Sequence, residues 1–243
     1  MTDYYPVFPV KYIMTLTIGA LLILSQGCTQ KPVIEYGDIA DRVWLRTSND
    51  LKGINGFFTG KEGQLLQINA LLKDGLYWEL KENQLLLWSR AEGQSTPQSL
   101  EYHPLMFEGK LRLAEDLSDE SSVYVARALQ EPLRNVQYYP TYFRGTAAAS
   151  PDREDHSAYL QLDTDDRSLR GFGGVNNFFG SYQRKDAVGF NVGPITSTMM
   201  AGPGMEYEAT FMQCLDQSDA ILAVDKRLFF YQASHLLCSF SAD

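Results

Sequence analysis

From Gly53 to about Tyr142 the chain is a succession of short apolar or alternating runs, each closed by polar turn residues. Examples are Gln64-Leu-Leu-Gln-Ile-Asn-Ala-Leu-Leu72, Leu76-Tyr-Trp-Glu-Leu80 and Gln84-Leu-Leu-Leu-Trp88, separated by Lys73-Asp-Gly75 and Lys81-Glu-Asn83. Runs this short, broken this often, cannot supply long helices. They predict a small antiparallel sheet or barrel. Leu105–Leu113 and Val123–Leu129 continue the series, and the leucines of Leu65–Leu72 also suit a helical period. Arg90–Ser99 is polar, contains Pro97 and reads as a loop. Aromatic residues make up 12% of the chain, which supports strands over helices.

The N-terminus carries a different signal. Ile13–Leu24 is an uncharged run, too short to cross a bilayer as a helix and long enough for the apolar core of a secretory signal. Lys11 supplies the positive end ahead of it, although Asp3 shares that region. Leu24-Ser-Gln-Gly-Cys28 follows directly and resembles the lipobox of bacterial lipoproteins, in which cleavage leaves a lipidated cysteine at the new N-terminus. Ser25 stands where that pattern usually has leucine, and the alternative is an ordinary signal peptide with Cys28 an accidental thiol. Acyl chains on Cys28 would make a durable anchor. Thr29 after the cysteine does not resemble an inner-membrane retention signal, so the expected location is the outer membrane, periplasmic face.

The expected organisation is a signal peptide over residues 1–27, a tether and lead-in over 28–52, an unassigned small β domain over 53–145 and a second β domain over 146–243. Ala147–Asp155, small, polar and proline-bearing, marks the boundary. The fold class is mainly β (α+β), with one helix predicted from Met205 to Ser218, where Glu208, Phe211, Met212 and Leu215 share a stripe.

The C-terminal hundred residues contain Gly171-Phe-Gly-Gly-Val-Asn-Asn-Phe-Phe-Gly-Ser-Tyr182, then Gly193-Pro-Ile-Thr-Ser-Thr-Met-Met-Ala201, then the predicted helix. Three strand-like runs close the chain at Ala220–Val224, Leu228–Tyr231 and Leu236–Phe240. The series resembles the META domain of HslJ-type lipoproteins over about residues 141–240. The resemblance implies an antiparallel sheet packed on one helix, and it makes Gly171, Gly173, Gly174, Asn176, Phe178, Gly180, Tyr182, Gly193, Thr198 and Met200 fold-defining residues. The family pattern has a cysteine in each motif, where this chain has Val175 and Gly202. Cys214 and Cys238 remain, either as a replacement bridge or as small buried apolar residues. The second is preferred, because a bridge needs Cα atoms within roughly 7 Å.

Several function classes find no support. A net charge of -9 argues against a nucleic-acid binder. The glycines at 171–174 lead back into strand-like sequence and no Walker lysine follows, so turn chemistry is preferred to a phosphate cradle. Met199, Met200, Met205 and Met212 are read as core rather than as a copper(I) site, since their spacing is irregular and no histidine lies close. His103, His156 and His235 belong to no catalytic or metal motif, and no G-x-S-x-G elbow is present. No cofactor or metal is expected. The resulting expectation is a monomeric, non-enzymatic envelope lipoprotein supporting integrity or stress and antibiotic tolerance. Two alternatives are a periplasmic protein-binding adaptor using Phe178, Phe179 and Tyr182, and, less favoured, a hydrolase.

Overall fold

In the computed structural model the described residues are 34–46, 56–61, 63–68, 76–82, 84–89, 98–114, 122–144 and 158–243. Cys28 and the whole signal region lie outside them, as do the segment 145–157 and most of the Arg90–Ser99 stretch.

Eight strands form the first sheet: β1 (Arg42–Arg46), β2 (Gly56–Thr59), β3 (Leu65–Gln67), β4 (Leu76–Lys81), β5 (Gln84–Ser89), β6 (Gln98–Phe107), β7 (Lys110–Ala114) and β8 (Ser122–Arg127). Their order is β3-β2-β1-β8-β7-β6-β5-β4, all antiparallel, so every neighbour pair but β1 and β8 is consecutive in sequence. The two ends meet through a bridge between Gln64 and Tyr77 and a 2.9 Å bond from the Trp78 N–H to the Gly63 carbonyl. The result is a closed up-and-down ring, which removes the exposed edges that an open sheet would present. The short helix α1 (Tyr36–Ile39) leads into it. Ile39 is fully buried, its carbonyl accepts the Trp44 indole N–H at 3.2 Å, and Tyr36 stacks on Trp78.

This corrects two expectations. The stretch 28–52 is not only a lead-in: it carries α1 and β1, and β1 is the strand that closes the ring against β8. Leu105–Leu113 is not one run but a hairpin turning at Glu108-Gly109, where both residues have positive φ. Pro104 sits within β6 without breaking it. β6 pairs β5 only as far as Tyr102 and pairs β7 from His103 onward, so the missing N–H falls past the end of the β5 ladder.

The second half comprises β9 (Tyr139–Phe143), β10 (Tyr159–Asp163), β11 (Ser168–Phe172), β12 (Asn177–Arg184), β13 (Phe190–Val192), β14 (Thr196–Ser197), helix α2 (Met205–Gln217), β15 (Ala220–Val224), β16 (Arg227–Gln232) and β17 (His235–Ser241). One sheet runs β10-β11-β12-β13 with β14 on β12, the other β15-β16-β17-β9. Bridges Tyr138–Leu160 and Gly189–Ala220 join them edge to edge. β9 therefore belongs with the second half through its pairing to β17, and a boundary at 145/146 falls too late in the chain.

Period-2 alternation decides which core each side chain enters. Trp44, Phe57 and Leu65 fill the first ring with Trp78, Leu85, Leu87 and Leu111. Phe178, Tyr182 and Phe190 point with Phe211, Leu215, Phe230 and Phe240 into the second core. The alternate residues Val43, Phe58, Leu66 and Ile68 form a third cluster with Val188, Ala220, Leu222, Val224, Phe229 and Tyr231. β15 is thus buried on both faces, which is why Ala-Ile-Leu-Ala-Val shows no alternation. At this third cluster the Tyr231 hydroxyl donates to the Gln67 carbonyl at 2.8 Å.

Candidate functional site

Helix α2 begins after Gly204, whose φ of 99° requires a residue without Cβ, and its buried side is Glu208, Phe211, Cys214 and Leu215. Three of these are apolar core. Glu208 is a buried carboxylate, and such a group must be fully hydrogen-bonded. Its Oε2 accepts the backbone N–H groups of Val175 at 2.9 Å and Asn176 at 2.6 Å, and its Oε1 accepts the Asn176 side-chain amide at 2.8 Å. Asn176 reaches the other way as well. Its amide nitrogen donates to the Met200 carbonyl at 3.1 Å, while its Oδ1 accepts the Thr198 hydroxyl at 2.8 Å and the Met200 N–H at 2.7 Å. The Thr198 oxygen accepts the Asn177 N–H at 3.2 Å.

This network ties the glycine-rich turn, the segment after β14 and the helix into one knot. It gives the spacing of the two motifs a physical cause. Gly173 has to be glycine because a Cβ there would lie 2.7 Å from Glu208 Cγ and 2.8 Å from its Oε2. Gly174 holds φ at 116°. A Cβ on Gly171 would lie 2.0 Å from the Tyr159 carbonyl oxygen, and one on Gly193 would lie 2.8 Å from the Ser181 hydroxyl. Gly180 is packed against Pro194 and Ile195. The role of Glu208 was not legible from its place on an apolar stripe. The signal was a charged residue on the buried face of a helix, which only a set of donors explains.

Cys214 on α2 and Cys238 on β17 form a disulfide across a Cα–Cα distance of 6.3 Å, so the preferred reading of two buried thiols is corrected. The helix and the last strand pack closely enough to meet the distance condition, which sequence separation could not show.

The aromatic groove expected at Phe178, Phe179 and Tyr182 does not form. Strand alternation turns Phe178 and Tyr182 into the core and leaves Phe179 alone outside, 57% exposed. The methionines also depart from the core reading. Met199 is 99% exposed and Met200 is exposed too, because they lie on the connection between the two-residue β14 and α2, and Met205 is exposed at the first position of α2. Of these four methionines only Met212 packs against the core.

A cavity of about 200 Å³ lies beside α2, between Phe143, Arg144, Gln213, Gln217, Gln232 and Leu237. Among the described residues its polar lining is the amides of Gln213, Gln217 and Gln232, the Thr210 hydroxyl and the Arg144 guanidinium, beside the bridged Cys214. Among the described residues no group of three His, Cys, Asp or Glu side chains is placed to hold a metal ion.

Fold and motif together define a class: an antiparallel β ring closed on one helix, with a glycine-rich turn locked to that helix by a buried Asn–Glu pair. Residues 131–242 match the family model of the META domain, and this part of the chain is a META domain. No curated protein matches the chain in sequence. Among solved structures, an NMR structure of a protein from Burkholderia xenovorans is similar at 22% identity, over 48% of this chain and 93% of that one, with a TM-score of 0.38.

Proposed function

We propose that this protein is a non-enzymatic lipoprotein, anchored through Cys28 in the outer membrane and facing the periplasm, where it supports envelope integrity and tolerance of stress or antibiotics. The observation that carries this reading is the Cys214–Cys238 bridge, since a structural disulfide of this kind belongs to an oxidising compartment. The uncharged run Ile13–Leu24 ending at Cys28 supplies the export and attachment signals such a protein needs. Radiolabelled palmitate should enter the protein and be lost in Cys28→Ala. Absence of label in the parent protein overturns the anchor. Deletion should sensitise cells to envelope-active antibiotics, and Cys28→Ala should fail to restore tolerance at equal protein level.

A protein-binding adaptor is a second reading, favoured by the exposed Phe179, Met199, Met200 and Met205, since solvent-facing methionines suit adaptable apolar contacts. Crosslinking in the intact envelope followed by affinity capture separates the two. One stoichiometric partner, lost when Phe179 and Met199 are changed to serine, supports the adaptor.

A further inference from the structure

One end of the META ring gathers charge. Arg167 closes the β10–β11 turn, Arg184 ends β12 on the same face as the buried Tyr182, and Glu131 and Arg134 approach from the segment before β9. Arg134 is paired with Asp163 through Nε and with Asp165 through Nη1. The other two arginines each keep buried donors without a partner. The Arg184 side chain is only 8% exposed, yet its Nε and Nη1 have no hydrogen-bond acceptor, and neither does the buried Nη1 of Arg167. The remaining Arg184 nitrogen donates to the Ala187 carbonyl. A guanidinium cannot shed its charge, so unmet donors on one in the interior are costly and call for an acceptor.

Glu131 indicates what kind of acceptor fits. Its two oxygens face the two arginines, Oε2 at 3.8 Å from Arg167 Nη1, the donor without an acceptor, and Oε1 at 4.0 Å from Arg184 Nη2, the nitrogen that also donates to Ala187. Both separations are too long for hydrogen bonds, and the Glu131 side chain is 58% exposed and free to swing away. Arg167 lies 5.8 Å over the Tyr182 ring, which holds its guanidinium in place. We propose that Arg167 and Arg184 form a binding site for the carboxylate group of a small ligand, which displaces Glu131 and bridges the two guanidiniums with one oxygen toward each. Arg167 Nη1 supplies an unmet donor for that charge-assisted pairing, and Arg184 brings to the same place its Nη2 and a buried guanidinium charge that its single bond to Ala187 leaves underpaired. A carboxylate is the group assigned because Glu131 already places one between the two guanidiniums.

The test is an NMR titration of the folded protein with acetate and, separately, with inorganic phosphate, following the Arg184 Nε–H resonance. Acetate should shift it saturably. Glu131→Gln, which alters a half-exposed side chain and removes the competing charge, should tighten acetate binding several-fold. Arg167→Gln, at a side chain 43% exposed, should weaken it by about tenfold while the native disulfide and fold persist. A linear, unsaturable response that is the same in all three proteins overturns the site. Saturation by phosphate at lower concentration than acetate overturns the assignment to a carboxylate.

Discussion

Glu208 fastens the glycine-rich turn of the META domain to its helix. Its carboxylate accepts three hydrogen bonds from the glycine-rich turn, and Glu208→Ala would leave the N–H of Val175, the N–H of Asn176 and one proton of the Asn176 amide without that acceptor. Leaving buried donors unmet should cost on the order of 3 kcal/mol, read as a lower urea midpoint at unchanged slope. Gly173→Ala should act on the same knot from the other side, by pushing a methyl into Glu208 Cγ at 2.7 Å. The two changes share a partner, so the double variant should be clearly less destabilised than the sum of the singles. Full additivity in that cycle would show that Gly173 does not act through Glu208. The sequence made the glycines legible as turn residues, but at Gly173 the requirement is a close approach. That requirement is set by a side chain 35 positions away, which no local pattern contains.

Two elements are held by devices that differ in how far they could be read. The bridge from α2 to β17 closes a loop of 24 residues' separation, and opening it should cost about 3 kcal/mol through the freed unfolded chain. Cys214→Ala/Cys238→Ala should therefore unfold at lower temperature, and a reductant should lower the melting point of the parent protein but not of the double variant. Both cysteines were legible as a candidate pair, but their distance was not, because it depends on how the helix crosses the sheet. The β12–β13 hairpin is tied by Asp186, whose Oδ1 accepts the N–H groups of Val188 at 2.9 Å and Gly189 at 2.6 Å. Those bonds, Gly189 first, hold its carboxyl below the ordinary carboxylate range, with Arg184 and Lys185 adding a smaller pull. A carboxylate with a lowered folded pKa contributes stability that is complete above its unfolded value and is lost as pH falls through the folded one. The acid limb of the stability curve should thus include a contribution from Asp186 lying below pH 3.8. Asp186→Asn should flatten that part of the curve by lowering stability near neutrality toward its acid value, because the neutral amide oxygen still accepts the two N–H groups but without the charge that strengthens them.

The two β systems meet through side chains that alternate outward from the cores already described. Val43, Phe58 and Leu66 leave the first ring where Leu222, Val224 and Phe229 leave the second, and the buried Tyr231 hydroxyl crosses to the Gln67 carbonyl. Periodicity could assign each strand a core face, but it could not reveal that the outer faces of β1, β2 and β15 are also covered. A run such as Phe57-Phe58 reads the same whether its second ring is against solvent or against another sheet. The physical consequence is coupling. Phe58 is 1% exposed and lies in this shared cluster, so Phe58→Ala should remove about 3 to 5 kcal/mol by the usual loss of transfer and packing energy. That loss should not stay within the first ring. Amide exchange at Ala220–Val224, in the META domain and far from residue 58 in sequence, should accelerate in the variant along with exchange in β1 and β2. The parent protein should likewise unfold in one calorimetric transition rather than two. If exchange in β15 is untouched by Phe58→Ala, the shared cluster does not couple the rings, and the META domain stands on its own core of Phe178, Phe211, Phe230 and Phe240.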